Sequence, residues 1–220
     1  MSKNIIVLDV EGMSGKRPYN IGFLVADLKG HIYEEYSFAI MPAIWENLET
    51  AIKTVQIAPK EMTHKNIQEI LQNNKKYQWA TIEDFITKIN EVIAKYNIKE
   101  IWAYNCIFDK TAVSKLCNLN VVWLDIWSAI VMTKCLTRKY VKFCRKHGFI
   151  TEKGNCKTSA EVVYAYLTND EDFEEEHTGL SDCHIEYEIL LTAKKTKKKI
   201  DGTLTQPWKL VKQFCEMNEL

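Results

Sequence analysis

An α/β domain is what this sequence predicts, with a mixed sheet of three antiparallel strands followed by parallel strands, all flanked by helices. Three observations carry that reading. An apolar run rich in Ile and Val opens the chain, two strand-like runs follow across a glycine-containing turn, and helical and strand patterns alternate after Thr81.

Taken in order, Asn4 to Val10 is a short apolar run bounded by polar residues, which reads as a strand buried on both faces and ending in acids. Tyr19 to Ala26 and His31 to Ile40 are joined by Asp27-Leu28-Lys29-Gly30, a turn suited to an antiparallel hairpin. From about Ala43 to Asn74 the pattern is helical and charged. Thr81 with Asp84 three residues on resembles a helix cap before the periodic set Ile82, Phe85, Ile86, Ile89, Val92 and Ile93, predicting a helix through about Tyr96. Ile98 to Tyr104 is a second buried-strand candidate, Asp109 to Cys117 a helix, and Val121 to Leu124 a third short apolar run. That β-α-β-α-β rhythm implies parallel strands. Helices follow: Ile126 to about His147, halted by Gly148; Thr158 with Glu161 as a capping box opening a helix through Leu167; and Leu180 to Lys195.

The 220 residues, 46% hydrophobic, fit one domain spanning 1–220 with a basic helical extension from about 194. Lys plus Arg equals Asp plus Glu at 29 each, so no overall field steers the chain toward nucleic acid and any basic surface is local. Lys194, Lys195, Lys197, Lys198 and Lys199 form one such run, which suits either a phosphate backbone or a helix C-terminus. No segment approaches ~18 uncharged apolar residues, so a cytoplasmic protein without a membrane partner is expected. Cysteines at 106, 117, 135, 144, 156, 183 and 215 show no CxxC pair, which points to free thiols, and Cys144, His147 and Cys156 lack a fourth ligand for zinc.

Acids and one histidine carry the chemistry. Asp9 and Glu11 sit two apart on the first strand, so alternation aims both side chains to one face, where they repel unless a cation joins them. Asp109 follows another central strand at a helix opening, where the dipole tolerates negative charge. His177 precedes Asp182 by five residues at the start of the last long helix, leaving the aspartate facing inward and the histidine on the approach loop. Each signal alone is weak, since strand-end acids are often solvated and Asp is a common helix cap. Their order makes them one site.

Asp-Val-Glu at 9–11, Asn-Cys-Ile-Phe-Asp at 105–109 and His-Thr-Gly-Leu-Ser-Asp at 177–182 together resemble the DEDDh branch of the DnaQ-like 3'→5' exonucleases, over nearly the whole chain. Lys157 to Tyr164, leading into the histidine motif, is also similar to small exonucleases of bacteriophages. The resemblance implies a ribonuclease-H-like domain, with Asp9, Glu11, Asp109 and Asp182 as metal ligands and His177 as general base. It also implies Asn105 as a contact either to substrate or to the residues that hold the metals. Gly12 stands where Thr is frequent in the family, and Gly179 and Ser181 where Ala and Asp are frequent. The first departure shifts the hold on the terminal nucleotide to groups around Gly12 and Met13, with Tyr19 nearby.

Two divalent cations can activate a water, orient a phosphate and stabilise the departing 3' oxygen, and hard oxygen ligands select two Mg2+ or Mn2+ ions. His177 accepts a proton only when neutral, so activity should climb with pH. The acidic run Asp170, Glu171, Asp172, Glu174, Glu175, Glu176 would push that climb upward, but it reads first as a solvated loop. Single-stranded DNA or RNA 3' ends are the expected partners, DNA taken first, together with a polymerase or a second copy of the chain. A catalytically idle nucleic-acid-binding module and a polymerase-associated proofreading subunit are the alternatives. A phage-encoded chain would act in the host cytoplasm.

Overall fold

The computed structural model describes residues 3–13, 17–40, 78–196, 202–203 and 206–218. The expected helical segment 43–74 and Lys197, Lys198 and Lys199 of the basic run fall outside those residues.

Strands β1 (Asn4–Met13), β2 (Arg17–Asp27) and β3 (Ile32–Ile40) pair antiparallel, while β5 (Glu100–Ala103) and β6 (Val122–Asp125) extend the sheet in parallel from β1. A further strand, β4 (Gln78–Ala80), runs parallel to β3 at the opposite edge, giving the order β4-β3-β2-β1-β5-β6. Three residues are too few to show a period, so β4 has no signature in the sequence. β1 is central, and Ile5, Ile6, Val7 and Leu8 are fully buried, as a run covered on both faces requires.

The β2–β3 turn is held by Asp27, which is buried and accepts the Lys29 and His31 backbone N–H groups at 2.7 and 3.2 Å. Gly30 there has φ +102°, a conformation costly for other residues. Helix α1 (Ile82–Tyr96) opens on the expected Thr81–Asp84 capping box and buries Phe85, Ile89 and Val92 on one sheet face. Helix α2 is Ile107–Ser114.

The long helix expected over 126–147 is divided. Helix α3 (Ile126–Ile130) passes into a π-helical turn, Val131–Cys135, and α4 (Arg138–Lys146) starts afresh. Thr133 Oγ1 bonds back to the Ala129 carbonyl at 2.8 Å, and Leu136 N–H reaches five residues back to Val131. Thr137 then caps α4 through Tyr140 N–H. The 158–161 capping box is corrected as well. Helix α5 (Ala160–Thr168) is capped by Ser159, because the Thr158 hydroxyl is occupied by Trp127 Nε1 at 2.9 Å. Helix α6 (Gly179–Lys194) lies across β1 and β2, and α7 (Trp208–Met217) packs through Val211 on the π-helical turn. Among the described residues no helix is long and apolar enough to cross a membrane.

Candidate active site

Asp9 and Glu11 come from β1, which does not stop at them but continues to Met13, with a register shift between Glu11 and Gly12. A bulge directly beyond the pair bends the strand away after presenting both acids. Asp109 arrives on the first turn of α2, 1% exposed, and its Oδ1 accepts the Val10 backbone N–H at 3.0 Å. That bond ties the α2 opening to the strand between the two acids.

Asp182 lies on the first turn of α6, whose start is pressed against the sheet backbone. A Cβ on Gly179 would meet Gly22 N at 2.6 Å and the Asp9 carbonyl at 3.0 Å, and one on Gly22 would meet Gly179 backbone atoms at 2.1 Å. Only two facing glycines permit that approach. Buried Asn20 fixes it, accepting Gly179 N–H at 2.8 Å and donating to the Phe38 carbonyl at 2.9 Å. The glycine standing where the resembled family often has Ala therefore has a packing reason. His177 precedes the helix with φ +53°, turning the loop so that the ring faces the acids.

Ligating atoms of Glu11, His177 and Asp182 lie within 4.8 Å of one another. Burial pushes Glu11 up to about 7, and Asp109 and Asp182 up to about 8, with neighbouring carboxylates adding to the latter two. Asp9 is raised by burial and then by the charges of Glu186, Asp109, Glu11 and Asp182. Burial lowers the His177 pKa, and the charge that opposes this is Glu161. The upward push expected from the acidic run is thus replaced by a downward one.

Sequence reasoning missed several supporting groups. Glu186, one turn after Asp182 on the same helix face, is 4% exposed and accepts the Tyr104 backbone N–H at 3.2 Å. Glu175 leaves its exposed neighbours to line the cavity, its carboxylate 3.9 Å from His177 Nδ1, and burial raises it to about 7. Asp125 accepts Asn105 and Trp127 N–H groups at 3.0 and 3.1 Å, fixing the turn in which Asn105 takes φ +57°. Tyr19 is buried and hydrogen-bonds Glu11, so it positions a carboxylate instead of facing a nucleotide.

Asn105 is exposed on the cavity wall, Gly12 sits at the bulge, and Met13 ends the strand. Lys194 is drawn off over the Trp102 ring, 4.5 Å from its centroid, and Lys195 is exposed at the helix end. Cys144 and Cys156 hydrogen-bond each other, and His147 Nδ1 lies 3.8 Å from Glu171, so the three do not converge as a metal set.

The acids and histidine floor a cavity of about 710 Å³ whose other walls carry Tyr104, Trp127 and Trp208. Asp9 Oδ2 and Asp182 Oδ1 are buried with no hydrogen-bond donor. Bare buried carboxylate oxygens are costly, and a hard divalent cation is the partner that would satisfy them, so the residues present fit Mg2+ or Mn2+. Compared with known proteins, the chain matches no family model and no curated protein.

Proposed function

We propose that this chain is a metal-dependent 3'→5' exonuclease that hydrolyses phosphodiester bonds from the 3' end of single-stranded nucleic acid and releases nucleoside 5'-monophosphates. The observation that carries the reading is the convergence of Glu11, His177 and Asp182 beside half-buried Asp9 and buried Asp109, with the Asp9 Oδ2 and Asp182 Oδ1 oxygens lacking donors. The β4-β3-β2-β1-β5-β6 order, antiparallel then parallel about a central β1, supports a ribonuclease-H-like domain.

Asp9, Glu11, Asp109 and Asp182 would hold two Mg2+ or Mn2+ ions, which when bound supply stabilisation of the charge that develops on phosphate and leaving oxygens. The chain's own groups do the rest. His177, kept neutral near pH 7 by burial, accepts the proton of the attacking water. Glu175 places a carboxylate 3.9 Å from Nδ1, and the Asp109–Val10 bond keeps the acids in register. Water adds to phosphorus, the 3' oxygen departs, and the phosphate stays on the released 5' position.

A 5'-labelled oligonucleotide incubated with Mg2+, Mn2+ or EDTA tests this. Shortening from the 3' end with either cation and none with EDTA is expected. Tight binding without shortening would replace the enzyme with an idle nucleic-acid-binding module, and co-purification with a polymerase would place the same activity in proofreading.

A further inference from the structure

Half of the cavity wall is not used by the chemistry above. Between α4 and α5 the chain forms a small hairpin, closed by the Ile150–Cys156 bridge, by Lys157 N–H to the Phe149 carbonyl at 2.9 Å, and by Thr151 N–H to Asn155 at 2.8 Å. Its returning limb is pinned to the core. Tyr140 Oη donates to the Lys157 carbonyl and Tyr104 Oη to the Thr158 carbonyl, both at 2.6 Å. The hairpin is therefore fixed, while the side chains of Lys153 and Lys157 stay exposed at the cavity rim.

Beneath the hairpin, Tyr104 and Trp127 stack with centroids 6.2 Å apart and an interplanar angle of 21°. Both polar tips are already satisfied by Thr158, so what the wall offers a ligand is ring surface. Trp208, 36% exposed at the start of α7, lines the same cavity, its ring 5.8 Å from Lys209 Nζ. Flat apolar faces beside a pair of cations, opposite an acidic floor that needs cations of its own, match a ligand with planar rings and repeating anions.

We infer that Lys153, Lys157 and Trp208, backed by the Tyr104–Trp127 wall, form a second nucleotide subsite that holds the unpaired base and phosphate upstream of the bond being cut. It rests on the nuclease reading only for the direction of the strand. Stacking on aromatic faces is sequence-tolerant, and lysine contacts to phosphate release counterions, so the subsite gives affinity for single strands without base choice.

Binding separates this subsite from the reacting one. Fluorescence anisotropy in Ca2+ buffer measures a labelled ten-nucleotide oligothymidylate, and competition measures thymidine 5'-monophosphate. Trp208→Ala should weaken oligothymidylate about 5–150-fold, the range for losing one base stack. Thymidine monophosphate should stay within about twofold, the uncertainty set by context, and Trp208→Phe should recover most of the loss. Lys153→Ala with Lys157→Ala should lower the salt slope of oligonucleotide binding by about 1.4, at roughly 0.7 per phosphate for single strands. Unchanged oligothymidylate affinity, or equal losses for both ligands, overturns the subsite. Variant-sensitive binding by a wild type that leaves the oligonucleotide uncut in Mg2+ upholds the subsite and rejects the nuclease reading.

Discussion

His177 holds a left-handed backbone conformation that non-glycine residues rarely adopt, with φ +53°, at the point where the loop must deliver a ring to the acids and then enter α6. Its depressed pKa keeps the imidazole neutral at cellular pH, so the acid limb of a pH–rate profile should lie below the ordinary histidine value of about 6.5. His177→Ala should lower kcat by about 10²–10⁴-fold, the usual worth of general acid–base catalysis, and flatten that limb. A kcat within a factor of a few of wild type removes the histidine from the chemistry. Glu186→Gln, which keeps shape and the Tyr104 bond while removing charge beside Asp9, should weaken Mn2+ by about 10–100-fold in a metal titration, as losses around a ligand shell do. That Asp9, Glu11, Asp109, His177 and Asp182 come together was legible because each acid or histidine falls at the end of a strand or the opening of a helix. Glu186 was not, since Cys-His-Ile-Glu-Tyr-Glu offers two similar acids and only packing separates buried Glu186 from exposed Glu188. Glu175 hides among its acidic neighbours for the same reason.

Helix α6 carries Asp182 and Glu186 to the site, and its position depends on backbone contact with the sheet at Gly22 and Gly179. Gly179→Ala puts a methyl group 2.6 Å from Gly22 N, and overpacking of that kind costs about 1–3 kcal/mol. Its melting temperature should fall, and activity should fall further than stability because Asp182 moves with the helix. An alanine variant with wild-type melting and turnover would show that α6 is not so constrained. Local signals read well where one interaction decides the outcome, as in the Thr81–Asp84 box, where both reciprocal hydrogen bonds form. They failed where tertiary partners compete. Thr158 is spent on the Trp127–Tyr104 wall, so the cap passes to Ser159, and back-bonding by Thr133 divides a pattern that reads as one helix.

Across the whole molecule, net charge is zero while acids crowd one buried floor. Folded-state pKa values of about 7 for Glu11 and about 8 for Asp109 and Asp182 lie above the unfolded carboxyl value of about 4. The folded chain therefore binds more protons than the unfolded one across that interval. Stability from these groups is full below about pH 4 and is lost as pH rises through 7 to 8. Metal-free protein should accordingly melt lower at pH 8.5 than at pH 5.5. Divalent cations, which favour the deprotonated acids, should raise the melting point most at the higher pH, with about 2.7 kcal/mol at a hundredfold excess over Kd. A melting point in EDTA that does not fall with pH would contradict this.

Whether the buried acids are a cation site is decided by Mn2+ electron paramagnetic resonance titration at pH 8, comparing wild type with Asp182→Asn. Two Mn2+ per chain in the wild type, with at least one lost in the variant whose far-UV dichroism is unchanged, is the expected result. A wild type that binds no Mn2+, or an Asp182→Asn variant that binds as the wild type does, would contradict it.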